Sequence, residues 1–270
     1  MRFSYTNEIC LNDFIVGFKA QTRILHTLMI RELMMRYGRG NIGFMWLVLE
    51  PMILCCGVVA LRWLIQDHTE HGVSLVAMVL SGYMPLTLWR HMTQRATFLL
   101  RRNVGLLFHR NISVLDSFTM TMALEFCGCT VAFIVNYFIF LLLGLLDPIN
   151  DYGLVLTGWC IMGVLSASFG LLTAVLTEKY EIMEKFIVPV QYLLVPISGF
   201  LFMVDWLPTY AQEIIWYMPL THCYEIMRDG FFGRAVQAHY SMLYPIAISL
   251  AITSYFLPQL DTARDHLKYG

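Results

Sequence analysis

Residues 118–146 read FTMTMALEFCGCTVAFIVNYFIFLLLGLL, with Glu125 as the sole charge. About 20 apolar residues suffice for a helix to cross the hydrocarbon of a bilayer. A run of this length with no polar alternation therefore reads as a membrane span, its backbone groups satisfied within the helix. Five further apolar runs lie around it, at roughly 43–66, 72–90, 153–177, 186–203 and 241–259. Short polar interruptions separate most of them.

Composition agrees. Of 270 residues, 58% are hydrophobic and only 14% charged, with a net charge of −1. Soluble domains carry about 25% charged residues, so a soluble fold is excluded. The near balance of acids and bases argues against nucleic acid as a partner. Aromatics at 14% exclude a disordered chain. Glu8 and Asp13 interrupt the start of the chain, so no cleavable leader is expected there.

Lysine and arginine set the expected orientation. Arg2, Lys19, Arg23, Arg31, Arg36 and Arg39 precede span one; Arg90, Arg95, Arg101, Arg102 and Arg110 follow span two. Lys179 and Lys185 lie between spans four and five, and Arg264 and Lys268 in the tail. Only Arg228 and Arg234 fall on the opposite side, with Arg62 inside span one. Both termini are therefore expected on the cytoplasmic side, which an even number of spans satisfies.

The expected fold is an all-α membrane protein. It has six transmembrane helices, an N-terminal amphipathic interface helix, and a re-entrant helical hairpin between spans five and six. Residues 1–42 form the cytoplasmic N-terminus, in which Phe14, Phe18, Leu25 and Met29 share one helical face opposite Lys19, Arg23 and His26. That amphipathic pattern breaks near Arg31. Residues 43–203 hold spans one to five, with a cytoplasmic loop at 91–117. Residues 204–240 form the periplasmic hairpin, and 241–270 span six and the tail. The hairpin is read from two short runs, one from Asp205 to Met218 and one onward to Arg228, broken at Pro219. Small residues at Gly163/Ala167 and Ser166/Gly170 predict close helix approach in span four.

Three ionisable residues fall within spans, where they are costly and face protein or water. Glu50 and Glu125 lie at comparable depths, each roughly 13 Å past a polar flank. They either line a polar conduit or pair with arginines and hydroxyls. Arg62 either meets the conduit or reaches outward. No Gly-x-Ser-x-Gly, His-Glu-x-x-His or G-x-x-x-x-G-K-[ST] pattern occurs. No catalytic residue, metal site or cofactor is expected in the chain, and ATP cannot be held by a P-loop of its own.

Residues 31–51 contain Arg31-Glu32-Leu33, Arg36-Tyr37-Gly38, Ile42-Gly43-Phe44-Met45-Trp46 and Glu50-Pro51. This resembles the entry motif of ABC-2-type polysaccharide export permeases, and is especially similar to the capsular polysaccharide exporters of Gram-negative bacteria. Asn103-x-Gly105-Leu106 with Asp116 and Glu125 matches their second motif. Trp216-x-x-Pro219-Leu220-x-His222-x-x-Glu225-x-x-Arg228 matches the third. Val114 and Met218 depart from the family's usual Pro and Asn.

The resemblance implies a permease subunit in the bacterial inner membrane, exporting a lipid-linked capsular polysaccharide. Its implied partners are a second copy of itself, two cytoplasmic ATPase subunits carrying ATP and Mg, a periplasmic co-polymerase-type protein and an outer-membrane channel. Arg31, Glu32, Arg36, Tyr37, Arg101, Arg102, Asn103 and Gly105 would couple to the ATPase. Phe44, Trp46, Glu50, Arg62, Glu125, Tyr192, Phe200 and Phe202 would line the path, and Trp216, Pro219, His222, Glu225 and Arg228 would build the hairpin. Alternatives left open are an O-antigen or teichoic-acid exporter of the same class, an ion-coupled secondary transporter, and a membrane-embedded glycan-modifying enzyme.

Overall fold

The structure, a computed structural model, describes residues 22–23, 26–32, 34, 41–65, 69–70, 73–99, 113–180 and 182–269. Residues 26–32 and 34 of the N-terminal segment are helical, while Phe14, Phe18, Lys19 and Leu25 of the expected amphipathic face lie outside the described residues. Leu28 and Glu32, one turn apart, are both buried and hold that face against the protein.

Helix α1 spans Asn41–Ile65, and a two-stranded hairpin, β1 Thr69–Glu70 with β2 Val73–Ser74, turns the chain back. Helix α2 then spans Leu75–Thr97, α3 Val114–Leu142 and α4 Tyr152–Lys179. Helix α5 is short, Met183–Leu194. Two further short helices follow, α6 Thr209–Ile215 and α7 Pro219–Phe232, before α8 at Leu243–Tyr269. Among the described residues, α3, α4 and the Leu243–Leu260 part of α8 are long and apolar enough to cross a membrane.

Three sequence-based boundaries shift, each for a local reason. The second run ends not at 90 but at Thr97, so residues 91–97 of the expected loop are helical. Met92, Thr93, Ala96 and Thr97 are buried there, and the Thr93 and Thr97 hydroxyls donate to carbonyls four residues back. Helix α3 begins at Val114 rather than 118. Ser113 and Asp116 form a reciprocal capping box, each side chain accepting from the other's backbone N–H. The fifth run does not continue to 203 as helix. It stops at Leu194; residues 195–199 form successive turns and 200–202 bend onward without helical bonds. Pro196 has no N–H to offer the ladder, and Gly199 adopts φ +90°, open mainly to glycine.

Helix α4 is the packing centre, with α2, α7 and α8 against it and α3 alongside. Glycines permit the closest approaches. A Cβ on Gly158 would lie 2.6 Å from Met227 Cγ, and one on Gly230 would lie 2.8 Å from Asp151 O. Helices α4 and α7 thus meet backbone to backbone, and Asp151 N–H donates to Gly230 O at 2.9 Å. Gly163 faces Phe126 of α3, and Gly170 faces Met92 and Ala96 of α2. Phe133 stacks on Trp159 with centroids 4.8 Å apart, and Trp159 donates to Thr130 at 2.9 Å. Ser168 meets Thr253 at 3.0 Å, joining α4 to α8.

Replacing Gly158 with Leu should drive α7 off α4 and cost about 1–3 kcal/mol. Gly57, with nothing within 4 Å of a built Cβ, should accept Ala without loss. Thermal unfolding in detergent separates the two variants.

Candidate functional site

The densest polar site is built by α7. Thr221, Glu225 and Arg228 fall on one face of that helix at helical spacing. All three are buried, and all three turn toward residues 198–204, where α5 has ended. Arg228 Nη1 donates to Gly199 O at 2.8 Å and to Phe202 O; Nη2 donates to Phe200 O at 2.6 Å. Thr221 donates to Ser198 O at 3.0 Å. Helix α2 also approaches this segment closely, and a Cβ on Gly82 would collide with Phe200 O.

Glu225 extends the site. Its Oε1 accepts from Val204 N–H at 3.2 Å and its Oε2 from His239 N–H at 3.1 Å. Arg228 Nη1 lies 3.8 Å away. Burial pushes the Glu225 carboxyl above its ordinary range, with Arg228 and both N–H donors opposing. The neighbouring His222 joins α7 to the residues before and after it. Ser241 N–H donates to Nδ1 at 3.0 Å, so Nδ1 is an acceptor and Nε2–H faces Trp216 O at 2.9 Å. The ring also meets Trp216 and Tyr244 edge-on, at 4.7 and 5.1 Å. Pro219 opens α7 at its first position, where no N–H is needed.

A second polar site joins α2 and α3. Glu125 is fully buried, with Arg95 Nε 3.3 Å from Oε1 and His91 Nδ1 3.5 Å from Oε2. Glu50 is half-buried on α1. Arg62, half-buried, lies in the last turn of α1. Tyr192 on α5 is exposed; Arg90 donates to its hydroxyl at 3.0 Å and lies 4.8 Å over its ring.

The other residues singled out in the sequence divide simply. Arg31 is half-buried and Glu32 buried, while Trp46 stands half exposed. Phe200 and Phe202 are partly buried, and their carbonyls serve Arg228. Phe44 lies in α1, its side chain outside the described set. Arg36, Tyr37, Arg101, Arg102, Asn103 and Gly105 lie outside the described residues. Among those described, no three His, Cys, Asp or Glu side chains group to hold a metal. Sequence reasoning missed His91, Thr93, Gln94 and Gln191, which tie α2 to its neighbours. The pairs Thr93/Thr97 and Thr173/Thr177, each four residues apart, were the available signal.

Replacing Arg228 with Ala should leave three carbonyls and Glu225 without their partner. The cost should be about 3–5 kcal/mol, read as a lower unfolding midpoint and faster proteolysis within 195–204. A second test is pH. Burial holds the His222 pKa below its ordinary 6.5. Stability from the neutral ring is complete above that value and is lost as pH falls below it. The protection of the Ser241 amide, measured relative to intrinsic hydrogen exchange at each pH, should therefore fall between pH 7 and 5.

The sequence pattern of the ABC-2 type transporter family matches residues 23–232. The capsule polysaccharide export inner-membrane protein BexB of Haemophilus influenzae is 32% identical over 232 residues, covering 86% of this chain and 88% of that protein. CtrC of Neisseria meningitidis serogroup A, with the same description, is 31% identical over 245 residues, covering 91% and 92%. The polysialic acid transport protein KpsM of Escherichia coli is 23% identical over 237 residues, covering 85% and 91%. A helical membrane fold built on α4, matched over most of its length in this way, belongs to the ABC-2 type transporter family.

Proposed function

We propose that the chain is the transmembrane subunit of an ATP-driven exporter, moving a lipid-linked capsular polysaccharide across the bacterial inner membrane. The observation that carries this reading is the similarity, over about nine-tenths of both chains, to an inner-membrane protein of capsule polysaccharide export. The chain has no P-loop pattern, so hydrolysis falls to a separate cytoplasmic ATPase carrying ATP and Mg. Two copies of each subunit form the working unit, and a periplasmic co-polymerase-type protein and an outer-membrane channel continue the route.

The bias of lysine and arginine supports cytoplasmic termini. On that orientation, residues 14–37 and 93–115 dock the ATPase, and residues 204–240 lie at the periplasmic side as a re-entrant pair. Arg228 supports the re-entrant reading, because non-helical backbone at membrane depth needs protein donors. Trp46 and Tyr192 are exposed aromatic faces suited to a sugar ring. Glu50 and Arg62 supply the polar groups of the passage.

Vesicles containing this protein and its cognate ATPase should take up polysaccharide only with ATP. The protein alone should neither hydrolyse ATP nor move polymer. Transport without the ATPase, or hydrolysis by the isolated chain, overturns the reading.

A further inference from the structure

At the end of the bundle away from the lysine- and arginine-rich segments, a pocket of about 190 Å³ opens. Strand β2 and the first turn of α2 supply Val73, Ser74 and Ala77, the α3–α4 connection Asp147 and Asn150, and the end of α7 Phe232. Its walls are pinned to one another. Asn150 Nδ2 donates to Phe231 O at 2.8 Å, Asp151 N–H to Gly230 O at 2.9 Å, and Ser74 Oγ to Leu145 O at 3.4 Å. Phe231 is buried with its ring edge-on to Phe133 at 6.3 Å, which fixes the backbone from which Phe232 projects. Gly233 then turns the chain at φ +53°. The pocket is therefore formed before any ligand arrives.

Its chemistry matches a sugar ring, which has an apolar face of C–H bonds and a rim of hydroxyls. The half-buried Phe232 offers the negative face of its ring to C–H bonds. Asp147 is exposed and makes no hydrogen bond or ion pair among the described residues, so both carboxylate oxygens are open to hydroxyl donors. The bond from Asn150 to Phe231 uses only its amide N–H, which leaves Oδ1 as a further acceptor. Pockets for drug-sized ligands begin at about 300 Å³, so this one has room for a single ring. Among the described residues its lining carries one carboxylate and no base, which disfavours an anionic sugar. A basic side chain of another protein could also use Asp147 and Phe232. A cation site gains from further acids, however, and the other two polar side chains, Ser74 and Asn150, are neutral.

We propose that this pocket binds one neutral pyranose unit. On the orientation proposed above it lies at the periplasmic end and holds a unit of polymer that has crossed. That placement rests on the export reading; the binding itself does not.

The test is saturation-transfer NMR on the full chain in lipid nanodiscs free of glycoside detergent. The probes are the methyl pyranosides of glucose, galactose and N-acetylglucosamine at millimolar concentration. Transfer to ring C–H protons is expected for at least one of them, with methyl glucuronide about threefold weaker through repulsion by Asp147. Asp147→Ala removes an acceptor and should weaken the signal about fivefold. Ala235→Trp, at an exposed position of the lining, should fill the pocket and abolish the signal. Neither residue is buried, so both variants should keep the parent's unfolding midpoint. If Ala235→Trp does not assemble, Asp147→Ala decides. Signal from none of the neutral glycosides, or signal unchanged in the variants, overturns the inference. Preferential binding of methylguanidinium overturns it too and assigns the pocket to a basic side chain. Glycoside binding by a protein whose vesicles move no polymer with ATPase and ATP upholds the pocket and overturns the proposed function instead.

Discussion

A chain that leaves helical geometry among apolar neighbours must find new partners for its peptide groups, and here one guanidinium supplies them. Arg228 serves the carbonyls of Gly199, Phe200 and Phe202 from a fully buried position. The planar fork of arginine suits several acceptors at fixed angles, which a lysine ammonium does not offer. Glu225 offsets the charge and reaches in two directions, to Val204 and to His239. The route from the end of α5 to the start of α8 is thus organised by two side chains one turn apart on α7. That helix can act as an anchor because Gly158 and Gly230 seat it directly on the α4 backbone.

Apolar packing and polar stitching divide the rest of the bundle. Around α4, glycines and stacked rings set the distances between helices. At the end of α2, threonine hydroxyls, Gln191 and the Glu125 ion pair set which faces meet. In hydrocarbon the hydrophobic effect does not distinguish one helix partner from another. Close approach and directional bonds must therefore specify the arrangement, and both occur where α2 meets α4.

Long apolar runs made α3, α4 and α8 legible in the sequence, because length and composition alone decide whether a helix can cross lipid. The end of α5 was not legible. Hydropathy continues through Phe202, whereas the helix stops at Leu194, since the turn is captured by Arg228 from a distant segment. Phe200 and Phe202 draw notice by their rings, yet Arg228 uses their carbonyls, and a backbone contact leaves no mark on residue type. The end of α2 misled for the opposite reason. His91, Gln94 and Arg95 look like loop residues, but their polar groups face α3 and α5. Glu125 stood out as a lone acid in an apolar run; its partners needed the fold. The Lys and Arg pattern bears on orientation and carries no information about which helices touch.

The brevity of α5 has a consequence for the surrounding lipid. Twelve residues of helix extend about 18 Å, against about 30 Å of hydrocarbon. If α5 stands in the membrane as the fifth span of the expected fold, the bilayer beside it must pinch inward or be replaced by protein, at a cost that grows with each ångström of mismatch. Acyl-chain length would then be a mechanical variable acting on residues 195–202, one that thick and thin membranes set differently.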